Sequence, residues 1–472
     1  MTAGSLTRTL SMGRLMGIGL TVAAAVLLGA ATTLDANLTF VIAAIIYGLL
    51  LLAAPAAIWV SAALVSAIAL RGLVGVGLLP DVMAFADIPM AWAALAAALL
   101  RARRWSPPAR SAVRLLAALS AAVVASWAFH PSEALRPVLF LALLGEPFAV
   151  LAALLIDPPS RRMRRILFGT LGGLLIIQLP VGVWQVAAFG IGDPLLGTLH
   201  GTLGGTKAMS GLMVLGGFWI LARGGARRLG TLLLAVAFFA WPLLAIVRQV
   251  ALALPVAFLG SVSRHASRFS KAGSILLVAG AVSLALLPVL PAEPVLRVLD
   301  RAVSDTSGKL VAFDIVTEEI SKDPASLFFG VGPATTVTRA AFLTTDYFVS
   351  PKSALRLLDL EANPVTLQAA ARVLSYPGQT LSSVNSGLSS AIGVLGDLGL
   401  VGFGVYVAGL VWLVRALRRT PLPEARVAGA GWAMGAVLAV AFDWWEQPPF
   451  MLFVAAMTAL ALSEPEPEAE PS

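Results

Sequence analysis

Apolar runs about as long as a bilayer is thick recur through this chain, and they leave little freedom in what it can fold into. They lie at about Met16 to Ala31, Leu38 to Ala54, Ala56 to Leu70, Met83 to Leu100, Ala112 to Phe129, Ala134 to Ile156, Ile166 to Phe189, Ala208 to Ala222, Leu229 to Ala245, Val250 to Val262, Gly273 to Leu290, Leu388 to Val414, Val427 to Ala441 and Phe450 to Leu462. A hydrocarbon core about 30 Å thick is crossed by a helix of about 20 apolar residues. Composition agrees, with 58% hydrophobic and 12% charged residues and a mean hydropathy of +0.89; a soluble domain carries about twice that charged fraction. The expected fold is an all-α polytopic integral membrane protein with about 12 to 14 transmembrane helices, the range reflecting several short later runs. The first run has a loosely signal-like end, but a second span follows at once, so it reads as a retained helix.

Basic residues give these spans a direction. Arg8 and Arg14; Arg101, Arg103, Arg104, Arg110 and Arg114; Arg161, Arg162, Arg164 and Arg165; Arg223, Arg227 and Arg228; Arg264, Arg268 and Lys271; and Arg415, Arg418, Arg419 and Arg426 fall in every second connection. They make up 21 of the 33 basic residues, and the excess of Lys and Arg in cytoplasmic loops assigns that side to the cytoplasm. Both termini are then cytoplasmic. The junction near Ala53 to Pro55 carries no charge to orient it. The pI of about 10.4 reflects these topogenic arginines rather than a nucleic-acid partner. Without cysteine, and with only His130, His200 and His265 as histidines, thiolate chemistry is excluded and a histidine-built metal site is disfavoured.

One stretch stands apart from the lipid-like pattern. Residues 291–384 carry ten acidic and eight basic residues between apolar runs, so they sit in water as an extracytoplasmic cap, following spans in residues 1–290 and preceding the last spans in 385–463. The Glu/Pro/Ala-rich tail 464–472 reads as disordered. Within the cap, Ser307 can start a helix from about Gly308 to Lys322, with Lys309, Phe313, Val316 and Ile320 on one face and Asp314, Glu318 and Lys322 in a polar row. Further helices are expected near Lys352 to Leu360 and from Asn363-Pro364 to about Leu374, with Tyr376-Pro377-Gly378 as a stop. No strand pattern occurs there.

Several motifs follow one another in a recognisable order. A Gly-Thr-rich outer connection, Gly201-Thr202-Leu203-Gly204-Gly205, precedes Arg248 in the short turn Ala245-Ile246-Val247-Arg248-Gln249. In the cap come Lys309, Asp323-Pro324 and Gly330-Val331-Gly332-Pro333, and its end, Val384-Asn385, leads to Asp397-Leu398-Gly399-Leu400-Val401-Gly402. In this order the second half of the chain resembles the O-antigen ligase and O-antigen polymerase family, bacterial inner-membrane glycosyltransferases of the GT-C type that act outside the cytoplasm. The resemblance implies a polyprenyl-diphosphate-linked glycan as donor and a glycan or lipid-linked glycan as acceptor, with no metal or other cofactor. Two positions depart from the family pattern: Lys309 stands where the loop arginine is usual, and Val384 where a histidine precedes Asn385.

Chemistry gives the same positions meaning. Negative charge builds on a diphosphate as its bond to the anomeric carbon breaks, and basic side chains in a poorly hydrated site stabilise it. Arg248 lies between apolar runs on the predicted outer side, where charge is costly unless used; it reads as a phosphate ligand, or as a structural pair or snorkelling residue. Lys309 carries the same two readings, phosphate ligand or solvated lysine. Arg71 and Lys207 are further cations at predicted outer ends that suit the lipid diphosphate, whereas Arg136 reads as an interfacial residue. Asp314 and Glu318 are candidate general bases, set against an ordinary solvated face. His200 is a further candidate beside the Gly-Thr stretch. Gly330 and Gly332 let the backbone turn or approach a ligand, and Asn385 is a candidate substrate contact. Asp397 caps or pairs within its own helix. Trp444 and Trp445 read as interfacial anchors or sugar-stacking rings.

A transporter or flippase for lipid-linked glycan is the second reading. The single one-sided cap and the lack of an internal repeat favour the enzyme. Ligase and polymerase differ mainly in the acceptor, and no motif here identifies it.

Overall fold

The computed structural model describes residues 54–75, 77–79, 81–102, 104–191, 195–199, 205–224, 229–245, 247–261, 308–343, 364–375, 389–441 and 443–463. Residues 1–55 form one compact unit and 56–472 another. All but two residues of the first unit lie outside the described set, and every described helix belongs to the second. The expected runs 16–31, 38–54 and 273–290, the helix near 352–360 and the tail also lie outside it, apart from Ala54.

Every other expected run forms a helix. These are α1 (Ala56–Gly75), α2 (Asp87–Arg101), α3 (Pro107–Phe129), α4 (Leu135–Ile156), α5 (Arg161–Phe189, interrupted at Ile177), α6 (Gly205–Gly224), α7 (Leu229–Leu244) and α8 (Arg248–Ser261). The cap contributes α9 (Gly308–Ile320), α10 (Pro324–Phe329), α11 (Arg339–Leu343) and α12 (Pro364–Leu374), followed by α13 (Ser390–Arg418), α14 (Pro423–Ala441) and α15 (Pro448–Leu462). Among the described residues there is no strand. Among the described residues, seven helices, α1, α2 with the 3-10 turn before it, α3, α4, α5, α6 and α13, are long and apolar enough to cross a membrane.

Sequence signals set these boundaries. The Ser106 hydroxyl accepts from the Ala109 amide at 3.3 Å and prolines open the first turn of α3; Ser160 and Ser389 cap α5 and α13 in the same way, each satisfying an orphan donor. The start of α1 is tied down by Asp157, whose carboxylate accepts from the Ala56 amide at 3.1 Å. That bond places the start of α1 beside the end of α4, next to the arginines that open α5.

Burial separates the bundle into centre and rim. Helix α15 has no polar face, and nearly all its residues are buried, as expected of a helix apolar all round. It packs against α4, whose second half is likewise enclosed. By contrast α3, α5 and α13 turn Val124, Ile176, Ile177, Val183, Trp184, Val407 and Val411 outward, an apolar surface that suits lipid. Both Trp444 and Trp445 are buried, against Phe450 and Tyr406 respectively. They are core residues and not exposed anchors or sugar platforms.

The cap has its own small core. Val311, Ala312, Ile315, Val316 and Ile320 of α9 pack with Val337 and Ala370, joined by Ile392 and Leu395 at the start of α13. The buried face of α9 is thus centred on Ile315; Phe313, expected on it, is exposed.

Candidate functional site: a buried charge network beneath the cap

The site begins with a loop that folds inward. Between α10 and α11, residues 330–338 carry three threonines and are nearly all buried, so their backbone polar groups require partners. Asp397 of α13 supplies them. Its carboxylate accepts from the amides of Ala334, Thr335 and Thr336 at 2.9, 3.2 and 2.7 Å and from the hydroxyls of Thr336 and Thr338 at 2.7 and 2.9 Å. Asp397 pins the cap loop, correcting the expectation that it acts within its own helix. Arg136, expected at an interface, is buried, pairs with Glu133 at 2.9 Å and donates to the Ala334 carbonyl at 3.2 Å.

Two glycines make this approach possible. Gly330 (φ 78°) and Gly399 (φ 64°) lie back to back: a Cβ on Gly330 would sit 2.3 Å from the Asp397 carbonyl, and one on Gly399 2.4 Å from the Phe328 carbonyl carbon. The left-handed backbone at both positions favours glycine. Gly332 also has a positive φ, 111°. The expectation of sharp turning at Gly330 and Gly332 holds.

The loop delivers Arg339. Its amide donates to the Glu446 carboxylate and its guanidinium to the Glu446 carbonyl at 2.8 Å. Glu446 belongs to the connection 443–447 between α14 and α15, held in place by the Trp445 amide donating to Ser390 at 3.1 Å and the Ser389 hydroxyl to the Val440 carbonyl at 2.8 Å. Asp443 and Gln447 of this connection are buried and hydrogen-bonded to each other. Burial and the neighbouring Asp443 push the Glu446 carboxyl up to about 8, while Arg339 opposes the rise. Burial and the positive charge of Arg71 lower the Arg339 guanidinium from its ordinary value, with Asp443, Asp87 and Glu446 opposing.

Across from them lies a second pair. A π turn at Ser66–Leu70 interrupts α1 just before Arg71, a device that recurs at functional sites. Arg71 is buried and donates to Asp87, the first residue of α2, at 2.6 Å. The loop 195–199, immediately ahead of the Gly-Thr stretch, lies against the same turn: the Thr198 hydroxyl donates to the Ile68 carbonyl at 2.6 Å, while Gln178 and Gln185 of α5 hold the amides of Thr198 and Gly197 at 2.8 and 2.7 Å. Arg71, Asp87 and Arg339 all act electrostatically on Glu146 of α4. Two arginines and four carboxylates from distant parts of the sequence thus share one interior region.

The expected site residues divide accordingly. Arg71 joins the network, though already paired with Asp87. Gly330 and Gly332 shape the loop that builds it. Arg248 is the first residue of α8 and Lys309 lies in the first turn of α9; the side chains of both lie outside the described set, as do His200 and Asn385. Lys207 is half-buried in the first turn of α6. Asp314 and Glu318 are exposed on α9, facing away from its core and not into the network. Arg339, Glu446, Asp443, Asp87 and Glu146 escape the sequence reading. One signal for them is visible: Glu146 is the only acidic residue in the run Ala134 to Ile156, and an ionisable residue within a span marks a candidate site. Among the described residues, no three His, Asp or Glu side chains converge in a way that could hold a metal.

Among the described residues, the fold and site define an all-helical architecture with seven helices long and apolar enough to cross a membrane and a buried ionic network beneath a helical cap. No family model matches the chain, and no curated protein matches its sequence.

Proposed function

We propose that this protein is a membrane glycosyltransferase that moves a glycan from a polyprenyl-diphosphate carrier to a glycan or lipid-linked glycan acceptor at the extracytoplasmic face, with the cap on that face and the arginine-rich connections in the cytoplasm. The observation that carries the reading is the gathering of buried Arg71 and Glu446 with half-buried Arg339 in one network beneath the cap. In the reaction the acceptor hydroxyl gives its proton to the Glu446 carboxylate. The acceptor oxygen bonds to the anomeric carbon as the bond to the diphosphate breaks, and the departing anion gathers charge beside Arg339. A base with a pKa near the working pH suits the proton transfer, and fixed cations in a poorly hydrated site suit the leaving group. Arg248 and Lys309 serve the lipid diphosphate in this reading, and the order of motifs shared with the ligase and polymerase family supports it.

Glu146 favours a second reading, transport of lipid-linked glycan, because buried charge within a span also marks translocation pathways. One assay separates the two. Purified protein is given a polyprenyl-diphosphate glycan and an acceptor in the presence of EDTA, and compared with Arg248→Ala. A new glycosidic bond, lost in the folded variant, is the expected result. Movement of labelled lipid across proteoliposomes without bond formation would replace the transferase reading with the transporter.

A further inference from the structure

Glu146 is set apart from every other acid in the network by the surroundings of its carboxylate. It is wholly buried, and among the described residues neither of its oxygens has a hydrogen-bond partner. It lies eleven residues into α4, about 16 Å along a helix rising 1.5 Å per residue, and so about midway through a core about 30 Å thick. The packing around it is tight: the Trp92 indole donates to the Ala142 carbonyl at 3.2 Å, and a Cβ on Gly145 would sit 3.1 Å from the same ring.

The charges facing it are few and already engaged. From α1 comes Arg71, bound to Asp87 at 2.6 Å. Asp87 comes from α2, and Arg339, bound to Glu446 of the 444–446 turn, comes from α11. Helix α15 carries no charged residue, and those of α3, Arg110 and Arg114, lie in its first two turns at the opposite end. An ionised carboxylate with no donor in such a place is held far less favourably than the neutral carboxylic acid.

We propose that Glu146 is a proton-binding site within the bundle, held as the neutral acid beside Asp87, Arg71 and Arg339. The site goes beyond glycan transfer and holds whether or not the network catalyses it. Its occupant is a proton rather than a metal, because among the described residues the other carboxylates do not converge on Glu146 to complete a coordination shell.

Infrared difference spectroscopy on the full protein in liposomes, titrated with pH, reads this directly. The expected result is a protonated-carboxyl band at neutral pH that Glu146→Gln removes and Glu446→Gln leaves in place. A wild-type spectrum with no band sensitive to Glu146→Gln overturns the proposal. Thermal unfolding supplies the second measurement. Glu146→Gln, isosteric with the acid, is expected to melt with the wild type, well above Asp87→Asn, which orphans Arg71. If Glu146→Gln melts as low as Asp87→Asn, Glu146 is an ionised partner of Arg71 and the proposal fails. Neither readout depends on transfer activity, so this proposal and the transferase reading fail separately.

Discussion

Asp397 and Glu146 are both wholly buried carboxylates on long helices of one bundle, yet among the described residues one has five donors around it and the other has none. Asp397 is a structural group: its partners come from a single cap loop and leave no valence for a substrate. Glu146 belongs to a network in which Asp87 and Glu446 each also keep one oxygen without a partner. Buried polar groups are normally satisfied, and clustered exceptions need a reason. The contrast teaches that burial alone does not separate scaffold from site in this protein; the count of partners does.

Removing the satisfied acid should do the greatest harm. Asp397→Ala orphans several buried donors at a cost of about 1–3 kcal/mol each, and is expected to release the cap loop and leave little folded protein by size-exclusion chromatography. Next comes the loop's cargo. Arg339→Ala should lower turnover by about 10²–10³-fold, the scale of losing one donor to developing negative charge, with Arg339→Lys intermediate because it loses the planar fork. A steady-state transfer assay on folded variants checks both, and unchanged turnover would make Arg339 a scaffold residue like Asp397.

The glycine contact between α10 and α13 sharpens the scaffold side. Gly399→Ala forces a side chain into a left-handed backbone and into the Phe328 carbonyl, and should cost roughly 1–3 kcal/mol, read as a lower midpoint in denaturant. Smallest of all, Asp314→Ala and Glu318→Ala should change stability by no more than about 0.5 kcal/mol, as exposed substitutions do, and leave turnover intact. A large drop in turnover would return the exposed face of α9 to the site.

The bundle was legible in the sequence because a spanning helix announces itself by length and hydropathy, and serine and proline mark where several begin. The network was not, for a physical reason. Its members come from α1, α2, α4, the 330–339 loop and the 443–447 turn, so no local spacing joins them. Each looks ordinary where it stands: Arg339 is one of eight basic residues in a polar stretch, and Glu446 one of several polar residues in a short connection. Polar composition in the cap also hides how deeply 330–338 is buried, since the threonines that look solvated are bound to Asp397. Arg71 reads in the sequence as an unneutralised cation because Asp87, sixteen positions away, lies across a turn whose geometry the sequence does not reveal.

The most direct test of the central claim is the pH dependence of transfer by wild type and Glu446→Gln. A catalytic base must be ionised to accept the acceptor's proton, and burial beside Asp443 holds Glu446 protonated up to about pH 8. Turnover should therefore rise with pH through about 8 in the wild type, while the glutamine variant runs about 10²–10⁴-fold slower, the usual range for losing a general base, and without that limb. A variant that keeps the wild-type rate and pH profile would contradict the account and leave Glu446 a buried structural acid.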